Sequence, residues 1–570
     1  VSRMAARNVI VRVLAAVEGL GACTVIATDK TGTLTRNELT LRRLWLPGVG
    51  TVELDDDGGW PKGATIAGRS AGWALARAAV LCSEASLGPG GGREGAVGDT
   101  VDIAFLAFAR RLGIEPASLA ASHREAHAIA YEPVRRFAAS FRQDPEGLEV
   151  LVKGAAETIF AMCRTPGEEA VIAASKLAAG GLRVLAVAAG RVDDASATAF
   201  RDLRLLGLAG IIDPLRPEAA DAVKRCHEAG IGVRMITGDH PLTALAIARE
   251  LDLARTPDDV VTGSDLARLE GAALDAAVAR GRVFARIEPL QKLAIVESLR
   301  RQGHLVAVTG DGVNDAPALK AADIGVAMGR GGTDVARDAA DIVLADDHFA
   351  SIVAGIEEGR VARDNVRKVI ALVIATGAAE IMLFLLAVAA GLPPPLTAVQ
   401  LLWLNLVTNG IQDVALAFEK GEPGVLARPP RPPAEAIFDR VMIEQVVLAG
   451  LWMGAIGFGA YALSLHLGFA HVAAQNALLW LLISFENAHC FNCRSERRSV
   501  LAVPLANNRF LVLGVIGAQA VHVAAMMTPG LNTLLGIAPL PLAEWLLLAT
   551  LAATLVPALE VYKMRLRRRS

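Results

Sequence analysis

The sequence predicts an α/β domain interrupted by an inserted α+β domain and followed by an all-α bundle of six membrane-crossing helices. Three observations carry this. Short β-branched runs ending in acidic or Gly-rich loops occur at 24–29 and again after residue 206, on either side of a stretch punctuated by Gly- and Asp-rich turns (55–59, 88–92). Apolar residues make up 53% of the chain and mean hydropathy is +0.42, with the excess concentrated after residue 365. The apolar stretches there are separated by loops alternately rich in and free of Lys and Arg. The division expected is 1–40 with 206–365 for the α/β domain, 41–205 for the insertion and 366–570 for the membrane domain. A net charge of −2 offers no broad basic face for nucleic acid. Six cysteines without framework spacing read as reduced thiols.

Residues 1–20 read as an amphipathic helix leading into the first strand. That strand, 24–27, passes into Thr28-Asp29-Lys30-Thr31-Gly32-Thr33-Leu34-Thr35. It delivers a carboxylate to the carboxyl edge of a sheet, where ligand sites of open α/β folds form. Such an aspartate can attack a phosphoryl group and become an acyl phosphate, with Lys30 and the loop amides neutralising the phosphate. An Asp-Lys turn after a core strand competes for Asp29-Lys30 alone; the seven residues from Asp29 to Thr35 make it remote. This string is the phosphorylation signature of P-type ATPases, and the sequence resembles that family.

Four stretches of the insertion are similar to the family's nucleotide-binding domain. Gly98-Asp99-Thr100-Val101-Asp102-Ile103-Ala104 stands where the family has Gly-Asp-Pro-Thr-Glu-x-Ala, with Asp102 replacing Glu. In Tyr131-Glu132-Pro133-Val134-Arg135-Arg136 the aromatic ring could stack on adenine and Arg136 could meet phosphate, although Tyr131 also suits a core. Lys153-Gly154-Ala155-Ala156-Glu157 resembles KGAPE, which implies that Gly154 admits the base and Lys153 lines the pocket. Gly181-Leu182-Arg183-Val184 matches the stretch whose arginine reaches the phosphates.

The nucleophile's sheet is expected to resume at 206–212, before the turn Asp213-Pro214-Leu215-Arg216-Pro217. A strand at 233–236 ends in Thr237-Gly238-Asp239 ahead of a helix N-terminus, a ready phosphate site. The segment 283–292 supplies Arg286, assigned to the nucleotide site, and a second lysine, Lys292, at a helix start. A strand at 305–308 ends in Thr309-Gly310-Asp311-Gly312-Val313-Asn314-Asp315, whose two carboxylates on a Gly-rich turn suit Mg²⁺. Alone that run is an ordinary turn. With Asp29, Thr237 and Lys292 it reproduces the four motifs of the haloacid-dehalogenase-like phosphotransfer fold. The resemblance implies Asp29 as nucleophile and Lys292 and Thr237 on the phosphoryl group. It also implies Mg²⁺ held by Asp29, Asp311 and the Thr31 carbonyl, with Asn314 and Asp315 supporting. Thr31 stands where phosphatases of that fold carry a general acid, so the acyl phosphate should persist.

Apolar spans at 369–392, 396–418, 443–467, 473–493, 509–528 and 541–562 predict six crossings. Loops near 393–395, 468–472 and 529–540 lack Lys and Arg, while 419–440, 494–508 and the tail are rich in them, which puts the latter in the cytoplasm. Asn405, Thr408, Asn409 and Gln412 recur at helical spacing with Asp413 beside them, and Glu380 and Glu486 add carboxylates in other spans. Gly410 is expected to let this helix loosen and expose carbonyls. Helix–helix hydrogen bonding competes for Thr408 and Asn487, and a soft-metal face of Glu486, His489, Cys490 and Cys493 is conceivable.

The run 401–408 looks like the sixth helix of calcium-pump-like (type II) P-type ATPases. Glu380, Asn405, Thr408 and Glu486 fall on that group's cation-ligand positions. Asn409 replaces an Asp and Gly377 an Asn, which leaves monovalent cations open; Asp413 could compensate.

The resemblance implies ATP-driven transport of Ca²⁺ or another small cation through an aspartyl phosphate, with ATP and Mg²⁺. It implies a multi-pass protein of a bacterial plasma membrane, its catalytic head in the cytoplasm and lipid around its helices. No Thr-Gly-Glu-Ser actuator loop occurs. The chain is therefore expected to be the carboxyl-terminal part of a pump, working with an actuator and four further helices in cis or in trans. A non-transporting remnant or membrane partner that binds nucleotide is the rival, and a membrane-tethered phosphatase is disfavoured by Thr31.

Overall fold

The computed structural model describes all residues except 56–57, 62–64, 94, 133, 145–146, 165–166, 195–199, 431–436 and 570. Parts of the 55–59 turn, of the Tyr131–Arg136 motif and of the basic loop 419–440 thus lie outside the described residues. The chain separates into two units, Val1–Ala16 with Cys23–Ala354, and Val17–Ala22 with Gly355–Ser570.

The first unit holds two sheets. The larger runs Val9–Val11, Ile342–Leu344, Ile324–Met328, Val306–Gly310, Val25–Asp29, Gly232–Ile236, Val283–Ala285, Val260–Thr262. All neighbours are parallel except the first pair. Val25–Asp29 is central, and Val25 to Thr28 are buried, as expected of a strand covered on both faces. The carboxyl ends of Val25–Asp29, Gly232–Ile236 and Val306–Gly310 lie side by side, so Asp29, Thr237 and Asp311 share one edge.

The smaller sheet has seven antiparallel strands in the order Gly50–Glu53, Thr40–Leu46, Arg204–Ile212, Arg183–Val192, Gly147–Ala155, Phe137–Asp144, Glu125–Ile129. One face packs Leu151 and Ala209 against Leu75 and Phe105 of helices Ile66–Leu81 and Thr100–Arg111. The other packs Val152 and Leu208 against Ile159 and Leu177 of helices Ala156–Met162 and Glu168–Ala179.

Two expectations change here. The stretch 206–212 does not resume the nucleophile's sheet: Arg204–Ile212 pairs antiparallel with Thr40–Leu46 and Arg183–Val192, and the larger sheet is rejoined only at Gly232. A buried apolar run reads alike in either sheet. Residues 1–20 are not one helix, because the β-branched run Val9–Val11 forms an edge strand on Ile342–Leu344.

In the second unit, helix Ala15–Ala22 meets helix Phe349–Ala389 at two glycines. A Cβ on Gly21 or Gly359 would run into the other's backbone, and Arg360 Nε donates to the Gly21 carbonyl at 3.2 Å. Among the described residues, four helical segments are long and apolar enough to cross a membrane: Phe349–Ala389, Arg440–His466, Leu505–Met527 and Leu542–Arg568. The other two predicted spans carry the polar candidate residues except Glu380, which lies in Phe349–Ala389. His471–Asn492 is one helix of 22 residues. The remaining span is divided into Ala398–Leu402, a wider π turn Trp403–Thr408, and Asn409–Leu416. The loosening expected at Gly410 thus falls one to two turns earlier, and Gly410 continues the helix.

Candidate functional site

At the shared strand edge, Asp29 leaves the sheet with extended backbone and its Oδ1 accepts the Thr31 amide at 3.1 Å, which turns the loop under the carboxylate. Helix Pro289–Arg301 brings in Lys292, 4% exposed, whose Nζ lies 3.1 Å from Asp29 Oδ2 and 2.7 Å from Asp315 Oδ1. Burial works against its charge, but Asp29 and Asp315 outweigh burial and hold its pKa above the ordinary lysine value. Asp315 is fully engaged, since its Oδ2 also accepts the amides of Asp311 and Gly312 at 3.1 and 3.0 Å.

Asp311 is placed differently. Gly32 has φ +71°, and a Cβ there would collide with Asp311 Oδ2, so glycine both makes the turn and lets this carboxylate approach the loop. Burial, then repulsion from Asp29 and Asp315, pushes the Asp311 carboxyl up to about 6 against the pull of Lys292. Carboxylates crowded this way suit a hard cation. Because the folded pKa of Asp311 exceeds the unfolded value of about 3.9, the folded state binds more protons between the two. Without Mg²⁺, Asp311→Asn is therefore expected to stabilise the protein at pH 7, and this gain should shrink as pH falls through 6. Urea unfolding of both proteins from pH 8 to 5 measures it, and a pH-independent difference contradicts the charge crowding.

Thr237, 4% exposed, follows Ile236 and its Oγ1 accepts the Asp239 amide at 3.1 Å; Gly238 is exposed beside it. Lys30, 5% exposed, does not face Asp29; its Nζ lies 2.8 Å from Asp239 and 3.9 Å from Asp213. Asn314 sits exposed on the Val313–Asp315 turn. Two residues absent from the expected set hold the loop. Asp213 accepts from Thr35 Oγ1 and the Glu38 amide, and Arg216 donates to the carbonyls of Gly32 and Thr35, each at 3.2 Å. Their signal was the Asp213–Pro217 turn, which reads as a helix start.

A cavity of about 890 Å³ is lined by Lys30, Gly238, Asp239 and Arg286 together with Tyr131, Arg136 and Arg183. Arg136 pairs with Glu157 at 2.8 Å, both largely exposed. Asp102, Lys153 and Gly154 do not line that cavity. Lys153 follows Leu151 in facing the helices that carry Phe105 and Asp102, with its Nζ paired to Asp102 and 5.3 Å from the Phe105 ring. At Gly154 a Cβ would meet the backbone of Arg136 and Phe137, so this glycine serves strand pairing, not approach of a base.

In the helical unit Asn405 Nδ2 donates to both oxygens of Glu380 at 2.8 and 3.1 Å, and Thr408 Oγ1 donates to Glu486 at 2.9 Å. Asn409 donates to Thr376 at 3.2 Å, and Gln412 to Asn487 at 2.7 Å. Asn409 Oδ1, Gln412 Oε1, Asp413 Oδ1 and Glu486 Oε1 are buried without a donor among the described residues. Three of these acceptors lie on Asn409–Leu416 and one on His471–Asn492, and the charge of a cation would offset their desolvation. Of the soft-metal face, His489 Nε2 and Cys493 Sγ meet at 3.5 Å, and among the described residues no three His, Cys, Asp or Glu converge on a metal position.

Residues 23–323 match the family described as haloacid dehalogenase-like hydrolase, and 393–565 the family described as Cation transporting ATPase, C-terminus. Probable cation-transporting ATPase F of Mycobacterium tuberculosis is 38% identical over 99% of this chain and 66% of its own length. The Calcium-transporting ATPase of Bacillus subtilis is 35% identical over 97% and 65%, and Endoplasmic reticulum calcium ATPase srcA of Aspergillus fumigatus 33% identical over 99% and 68%. The chain belongs to the P-type cation-transporting ATPases. It is a multi-pass membrane protein with a haloacid-dehalogenase-like domain, and it spans about two thirds of the length of these relatives. In P-type ATPase terms, the four motifs from Asp29, Thr237, Lys292 and Asp311 meet on one strand edge.

Proposed function

We propose that this chain carries the phosphorylation and part of the ion-handling machinery of an ATP-driven cation pump. The observation that carries it is the Asp29 carboxylate at the end of the central strand, 3.1 Å from the buried Lys292 and against Asp311. An Asp29 oxygen attacks the γ-phosphorus of ATP, the bond to the β–γ bridging oxygen breaks, ADP leaves and an acyl phosphate remains. Lys292 neutralises the arriving phosphoryl oxygens, while the Thr237 hydroxyl and Gly238 amide orient them. Mg²⁺ held by Asp29, Asp311 and the Thr31 carbonyl would add charge neutralisation.

The insertion is read as the nucleotide-binding domain. Tyr131 stacks on the base; Arg136, Arg183 and Arg286 take the phosphates; the Lys153–Asp102 pair braces the wall behind them. The helical unit is read as six crossings, three of them bearing the cation ligands: Glu380 on the first, Asn405, Thr408, Asn409 and Asp413 on the second, and Glu486 on the fourth. The orphaned oxygens support a small cation, Ca²⁺ among the candidates. An actuator and further helices, in cis or in trans, would complete the cycle.

Incubating the chain with labelled ATP and Mg²⁺ is expected to give an acid-stable, hydroxylamine-sensitive phosphoprotein, absent in Asp29→Asn. Equal labelling of that variant would refute Asp29 as the acceptor.

A further inference from the structure

In the helical unit, Lys368, Lys563, His489, Asn492 and Cys493 line a cavity of about 20 Å³. A water needs roughly 10–15 Å³ measured this way, so one water or one monatomic ion fits and a phosphate does not. Both lysines are buried, Lys368 5% and Lys563 2% exposed. Lys368 Nζ donates to Asn365 Oδ1 at 3.3 Å and Lys563 Nζ to the Asn492 carbonyl at 2.8 Å. No further hydrogen bond and no carboxylate within ion-pair distance serves either ammonium among the described residues. An ammonium has three donors, so two remain on each. Glu496 also lines the cavity, but its Oε1 is held by Arg367 at 3.2 Å. His489, 4% exposed, also lines the cavity, and its Nδ1 is buried without a partner among the described residues.

Two buried ammonium groups, neither with a carboxylate in ion-pair distance among the described residues, are costly, and Glu422 and Glu560 act on Lys563 only from further off. We infer that the cavity binds a monatomic anion, chloride in the cell, bridging the Lys368 and Lys563 ammonium groups. The ion takes one donor from each lysine, and a third when His489 carries its proton on Nδ1. It ties helix Phe349–Ala389 to the carboxyl-terminal helix Leu555–Arg569, and this role is independent of any step at Asp29.

The test uses the full chain in detergent, titrated with sodium chloride or bromide against sodium gluconate at constant ionic strength. Thermal unfolding should shift upward, saturably, with halide only, and the shift should vanish in Lys563→Met and Lys368→Met. Crystals grown in bromide should give an anomalous peak between the two lysines. Equal effects of gluconate and halide, a halide shift that survives both substitutions, or a water alone in the cavity would overturn the proposal. Should either variant fail to fold, the bromide peak in the unaltered chain decides.

Discussion

Lys292→Met is expected to abolish labelling by ATP and to destabilise the first unit by about 3–5 kcal/mol, the cost of removing one partner of a buried pair. Lys292 is the cation within ion-pair distance of both Asp29 and Asp315, and Asp315 is itself 6% exposed. Methionine keeps the stem of the side chain but leaves Asp29, Asp311 and Asp315 to repel one another. Urea unfolding at pH 7 measures the loss. Adding Asp315→Asn should recover much of the stability and none of the labelling. A Lys292→Met protein that unfolds at the parent's midpoint would show the pair to be worth little.

The second large effect lies far from the phosphate. Arg494 and Glu419 have side chains 1% and 2% exposed, and Arg494 donates to both carboxylate oxygens at 2.9 and 3.0 Å. It also donates to the carbonyls of Val503 and Pro504 at 3.1 and 2.8 Å. Arg494→Met should therefore lower stability in detergent by about 3–5 kcal/mol, whereas Arg494→Met with Glu419→Leu should approach the parent, because matched apolar groups can replace a buried pair. Thermal unfolding of the two variants separates these outcomes. If the double variant is no better than the single, the backbone carbonyls, not the charge pair, dominate.

The juxtaposition of Asp29, Thr237, Lys292 and Asp311 was legible because each sits in a short run whose chemistry is local, and a parallel sheet brings such runs to one edge. By sequence Lys153 is expected on the pocket, whereas the structure turns that side chain to Asp102 and Phe105, because adjacent residues of a strand face opposite sides and the motif alone does not say which side holds the cavity. The strand Val9–Val11 and the Arg494–Glu419 pair were illegible for another reason. Each is defined by a partner far along the chain, Leu344 for Val9 and Glu419 for Arg494, and basic residues near 494 read first as a topological signal. Gly410 drew attention as the weak point of its helix, yet the π turn formed at Trp403–Thr408, where no glycine marks it.

The placement of Val25–Asp29 between Gly232–Ile236 and Val306–Gly310 also sets an order of events during synthesis. The ribosome makes the nucleophile's strand more than two hundred residues before either neighbour, so that strand must wait, apolar and unpaired. Strands Thr40–Leu46 to Arg204–Ile212 complete their own antiparallel sheet in that interval. Assembly of the larger sheet is then the slow, long-range step, and the nascent chain is most open to aggregation until residue 310 has emerged.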